Sequence, residues 1–256
     1  MSQFNDRLKR IKIKNLAIFI IIAYLVLFIL GKTIGFINEK YFYVLILLYF
    51  VFELRDFSLD FKDDFFNVFS DVSIKTILLI VTANIFFSYG MLYLSYLLIN
   101  HFPFLNFLVN FSVPSMSILS SLPVIGVFVM TVVLSPIVEE LIFRGVLLNK
   151  MGLIVPTLFA VLISSLLFGA LHSFGSIFSA FIFAVCMAIL YLKTENICVP
   201  ILAHFLNNLF AEIIRLVDVN ELLFTDANVV MIVSALAIIS AVILFISIFT
   251  ELNNIK

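Results

Sequence analysis

Apolar residues run through this chain in long blocks, broken only where charged residues, prolines or asparagines interrupt them. A helix needs ~20 apolar residues to cross a bilayer core, and every backbone group inside that core must be paired within its own helix. Cut on that ruler, the sequence predicts eight spanning segments, at 16–37, 41–52, 74–99, 122–149, 154–172, 174–192, 197–216 and 229–249. The second is short for a span. Between 57 and 73 phenylalanines recur at near-helical spacing among Asp60, Lys62, Asp63, Asp64 and Asp71, the pattern of an amphipathic helix lying at the interface. The predicted fold is all-α, a polytopic membrane helix bundle.

Composition turns that pattern into a class. With 64% hydrophobic and 12% charged residues, a soluble fold would lack the polar surface to cover itself. No long polar tract separates the blocks, so residues 1–256 read as a single membrane-embedded domain. A net charge of -1 leaves no basic footprint for nucleic acid, which is excluded as a partner; the bilayer itself is the first partner implied. Cys186 and Cys198 lack the spacing of a redox or metal pair. No cleavage pattern follows the first apolar block, which reads as a retained helix.

Arg7, Lys9, Arg10, Lys12 and Lys14 precede that block and predict a cytoplasmic N-terminus. Eight spans then bring Arg55 and Lys62, Lys150, Lys193 and Lys256 to the same side, while the loop 100–121 holds no Lys or Arg. The expectation is a multi-pass protein of the cell membrane with both termini cytoplasmic.

Ionisable groups inside spans are expensive and mark function by default. They fall in three places. In SPIVEELIFRG, Glu140 and Arg144 stand four apart and can pair on one helix face, while Glu139 points about 100° away and stays free. FGALH carries Phe168 and His172 at the end of the fifth span. AHFLNN carries His204 and Asn208 on one face of the seventh, and Glu212 with Arg215 reads as an interfacial pair beyond them. Counted from Lys150, Ile154 and Glu195, Glu139 lies roughly 16 Å deep, His204 roughly 13 Å and His172 roughly 27 Å, a mismatch that a tilted or shortened fifth helix would close.

A carboxylate beside a histidine in low dielectric suits a general base. Water between Glu139 and His172 could attack a carbonyl while His204 and the Asn208 amide receive the developing oxyanion. The same Glu139, His172 and His204 could instead surround Zn²⁺, although the HExxH pattern is lacking, so the cofactor stays open between a divalent metal and metal-free catalysis. Intramembrane Glu and His chains also serve proton relays and transporters, but those predict repeat symmetry between halves, which the sequence lacks.

The ordered set EExxxR, FxxxH and HxxxN resembles the CPBP intramembrane proteases, the CAAX-processing, Rce1-like and bacteriocin-processing or Abi group, over roughly residues 120–212. The resemblance implies proteolysis of a membrane-associated or lipidated peptide, with Glu139, His172, His204 and Asn208 catalytic and Glu140, Arg144 and Phe168 supporting. It implies CAAX-type processing, peptide maturation or self-immunity without choosing among them, and it leaves room for an immunity protein without turnover.

Overall fold

The computed structural model describes residues 3–34, 41–55, 58–102, 104 and 124–254, and among them every regular element is helical. In chain order they are α1 (Gln3–Arg10), α2 (Ile13–Ile34), α3 (Tyr41–Glu53), α4 (Ser58–Asp71) and α5 (Ile74–His101). A continuous helical run over 124–151, here α6, is followed by α7 (Thr157–Ala170), α8 (Ile177–Thr194), α9 (Cys198–Val217), α10 (Leu222–Thr225) and α11 (Ala227–Asn254). Among the described residues, five stretches are long and apolar enough to cross a membrane: Ile13–Thr33, Ile74–His101, Phe174–Thr194, Cys198–Val217 and Ala227–Asn253. Two shorter apolar helices, α3 and α7, and the α6 run complete the order of segments that hydropathy predicts. The expected loop 100–121 falls largely outside the described residues.

Where the bundle meets lipid it is apolar outside as well as inside. Ile21, Phe28, Leu79, Ile238 and Phe249 all point outward, as a bilayer solvent allows. By contrast α8 is buried on nearly all sides, from Ser179 through Tyr191, and forms the centre against which the other helices pack. Close helix approach depends on small residues. A Cβ at Gly90 of α5 would lie 2.6 Å from that of Ala237 on α11, and one at Gly169 of α7 would lie 2.9 Å from the carbonyl oxygen of Ile177 on α8.

α6 departs from ordinary helix geometry in two places. Val129–Leu134 and Leu141–Leu148 are wound as π-helix, on either side of an α-helical Ser135–Glu140. Such widened turns are rare and frequent at functional sites. The first has a local cause at its end. The Ser135 N–H bonds the Met130 carbonyl five residues back, and the next donor in that register would be Pro136, which has no N–H.

Besides the short α10, two elements lie outside the spanning set. The amphipathic α4 buries Val68 and turns Phe65, Phe66 and Phe69 outward. Asn196, buried in the α8–α9 turn, holds α4 by donating to the Asp64 carbonyl at 2.7 Å and the Asp71 carboxylate at 2.8 Å. α1, unforeseen in the sequence, buries Phe4 and Leu8, with Leu8 against Gly145 of α6. Its Asn5 accepts a hydrogen bond from Tyr191, whose hydroxyl in turn accepts one from Asn149 at 2.6 Å.

Candidate active site

The three polar motifs arrive on α6, α7 and α9, and the aromatic ring of Phe168 joins them. It lies 4.7 Å from the His172 ring, 5.8 Å from the His204 ring and 4.9 Å from the Arg144 guanidinium. The motifs meet despite the counted mismatch in depth, of which the later start of α7 removes about 4.5 Å. That helix starts only at Thr157, after a turn, and has 14 residues, so it is about 21 Å long. His172 follows its last turn instead of lying deep in a long span, and its electrostatic neighbours are Glu139, His204 and Arg144.

Glu140 and Arg144 form the buried base of the cluster. The Arg144 Nη1 donates to Glu140 Oε1 at 2.9 Å and Nη2 to the Ala184 carbonyl at 2.9 Å, with both side chains essentially inaccessible. His204 donates from Nδ1 to the same Glu140 oxygen at 2.8 Å. One carboxylate thus fixes a guanidinium and an imidazole together. Its other oxygen, Oε2, has no hydrogen-bond partner among the described residues.

Glu139 sits differently, as the 100° offset predicts. Its side chain keeps 16% of its surface against none for Glu140. Tyr43 of α3 donates to Oε1 at 3.0 Å, and Ser135, one turn earlier on α6, donates to the same oxygen. Oε2 is left facing His204 Nε2 at 3.9 Å. That interval is too long for a direct hydrogen bond and short enough for one water to bridge.

The second histidine and the amide are oriented by backbone. His172 Nδ1 lies 3.0 Å from the Phe168 carbonyl, which can only accept, so the ring proton sits there and Nε2 of the neutral ring is an acceptor. Asn208 donates one amide N–H to the Thr131 carbonyl at 2.9 Å, the group that Pro136 leaves without its π-helical partner. Its oxygen accepts from Asn207 at 3.3 Å, and Asn207 accepts from Asn84 of α5 at 2.9 Å. Both ends of the Asn208 amide are therefore pinned, with its second N–H still to place.

Glu212 and Arg215 form a two-point ion pair on α9, with Arg215 Nε donating at 3.0 Å and its Nη2 donating to the other oxygen. Glu212 is buried, unlike the interfacial residue the sequence suggests, but it pairs with Arg215 and not with the cluster. Glu212→Gln should therefore leave any activity of the cluster within about threefold of wild type and cost about 1 kcal/mol of stability, since Arg215 is partly exposed and screened. Comparing turnover and thermal melting of the two proteins checks this, and complete loss of turnover in a folded variant contradicts it.

Four contributors escaped the sequence reading. Ser135 lies four residues before Glu139, a spacing that places both on one face and could have flagged it. Asn84 is a lone amide within an apolar span, which is also a signal. Thr131 acts through its carbonyl and Tyr43 resembles its neighbouring tyrosines, so neither carries a mark in sequence. Of the metal-ligand alternative, no group of three or more His, Cys, Asp or Glu side chains among the described residues could hold an ion. As arranged, Glu139, His172 and His204 do not form such a group, although the Nδ1 bond of His204 to Glu140 is one that a metal-bound imidazole also makes.

Fold and cluster together define a polytopic helical membrane protein with a buried Glu, His, Asn and Arg site. Residues 120–210 match the family described as type II CAAX prenyl endopeptidase Rce1-like, in agreement with the CPBP group that its motifs resemble. Over 94 residues the chain is 36% identical to the Bacillus subtilis (strain 168) protein named "Putative membrane peptidase YdiL". That alignment covers 36% of this chain and 38% of the relative. No solved structure matches.

Proposed function

We propose that the chain is an intramembrane endopeptidase that hydrolyses a peptide bond of a membrane-associated or lipidated peptide, with Glu139 as general base. One observation carries this reading: Glu139 has one oxygen held by two donors and the other turned towards His204 across 3.9 Å, above a buried, charge-compensated base. A carboxylate so arranged is fixed in place and still has lone pairs for a proton.

In the mechanism, Glu139 Oε2 takes up one proton of the attacking water, whose other hydrogen is held by the acceptor Nε2 of His172, and later gives that proton to the amine nitrogen as the C–N bond breaks. The carbonyl oxygen gathers charge as water adds. His204, in its protonated form, donates from Nε2, and the second N–H of Asn208 donates beside it. Glu140 and Arg144 hold His204 in that orientation without touching substrate. No step is routed through a metal. The basic residues before α2 support a cytoplasmic N-terminus, and the even number of apolar segments supports the same side for the C-terminus.

The likeness of residues 120–210 to CAAX prenyl endopeptidases supports a substrate ending in a prenylated CAAX sequence. The purified protein should be offered prenylated CAAX peptides and leader peptides, with and without a chelator. We expect cleavage of at least one probe, abolished in Glu139→Gln and unaffected by the chelator. Failure to cleave any of them, joined to proton-coupled uptake in sealed vesicles, would replace the protease with a transporter.

A further inference from the structure

We infer that Tyr43, outside the family-matched segment, is a positioning residue for Glu139 and that α3 belongs to the working site. The inference deepens the endopeptidase reading and rests on it. α3 has 13 residues and is about 20 Å long, short of the ~30 Å of a bilayer core. Its inner face buries Ile46 and Phe50, and one turn before Ile46 the Tyr43 hydroxyl reaches Glu139 Oε1 at 3.0 Å.

The geometry decides which carboxylate oxygen does chemistry. Tyr43 from α3 and Ser135 from α6 approach Oε1 from different helices, so the carboxyl group is triangulated between two elements and its rotation is stopped. Only Oε2 remains turned to His204. Hydrogen bonds to a charged group contribute about twice what neutral ones do, and a geometric error of ~1 Å at a reacting group can cost 10²-fold. Removing the Tyr43 hydroxyl frees the carboxylate to rotate and weakens the stabilisation of its ionised form, while the ring and its packing stay.

Two measurements test this. The first needs no substrate: the rate at which dicyclohexylcarbodiimide modifies Glu139, read by mass spectrometry in wild type, Tyr43→Phe, Ser135→Ala and the double variant. Donors that stabilise the carboxylate slow that reaction, so Tyr43→Phe should be modified about tenfold faster. Because both hydroxyls act on one oxygen, the double variant should depart from the product of the single effects. The second uses whichever prenylated or leader peptide wild type cleaves: kcat should fall about tenfold in Tyr43→Phe with KM little changed, which a loss of packing would not produce. Modification within twofold of wild type in the single and double variants overturns the role of Tyr43. Accelerated modification without Glu139-dependent cleavage of any peptide retains the clamp and overturns the endopeptidase reading instead.

Discussion

Glu139→Gln should lose ~10²–10⁴-fold of the hydrolytic rate while melting at the wild-type temperature. The substitution keeps the shape of the side chain, and its amide oxygen can still accept from Tyr43 and Ser135. What disappears is the ability of the group facing His204 to take a proton. Turnover of a cleavable peptide, set beside thermal unfolding in the same detergent, separates the two effects. Retained hydrolysis would remove Glu139 as the base, and a lowered melting temperature would make it a structural carboxylate. The neighbouring Glu140 offers an internal contrast. Glu140→Gln breaks an ion pair at the base of the cluster, so its activity should fall together with its stability.

Arg144→Ala should cost ~3–5 kcal/mol, because it strands Glu140 in the protein interior with an uncompensated charge. It also withdraws a donor from the Ala184 carbonyl and a cation from the face of Phe168. A loss of that size lowers the melting midpoint by the order of 10 °C in a chain of this length. Arg144→Lys should recover little, since an ammonium cannot reproduce the fork that reaches Glu140 and Ala184 together. Replacing both charges, as in Glu140→Met with Arg144→Met, should give a protein more stable than Arg144→Met alone, because no charge is left buried and unpaired. Midpoints from the four variants decide the matter. An Arg144→Ala protein as stable as wild type would mean that the pair is solvated in the membrane protein.

Hydropathy alone determined the class of fold and the order of its apolar helices, because a bilayer admits few backbone solutions and its thickness sets their length. The i, i+4 pairing of Glu140 with Arg144 and the separate direction of Glu139 were equally legible, being properties of one helix. The convergence of the motifs was less so. Counting rise per residue kept His172 apart from Glu139 and His204, whereas the packing of the helices brings the three together. Only the tertiary structure decided that His204 serves Glu140 with one nitrogen and faces Glu139 with the other. It likewise decided that Asn208 closes the gap left by Pro136, that α1 docks on the end of α6, and that Tyr43 comes from the shortest apolar segment to hold the base. Each of these joins residues distant in sequence, through a backbone carbonyl, a hydroxyl or a packed methyl group. Such groups carry no periodicity, so their partners are set by how the helices stack and not by the residues along any one of them.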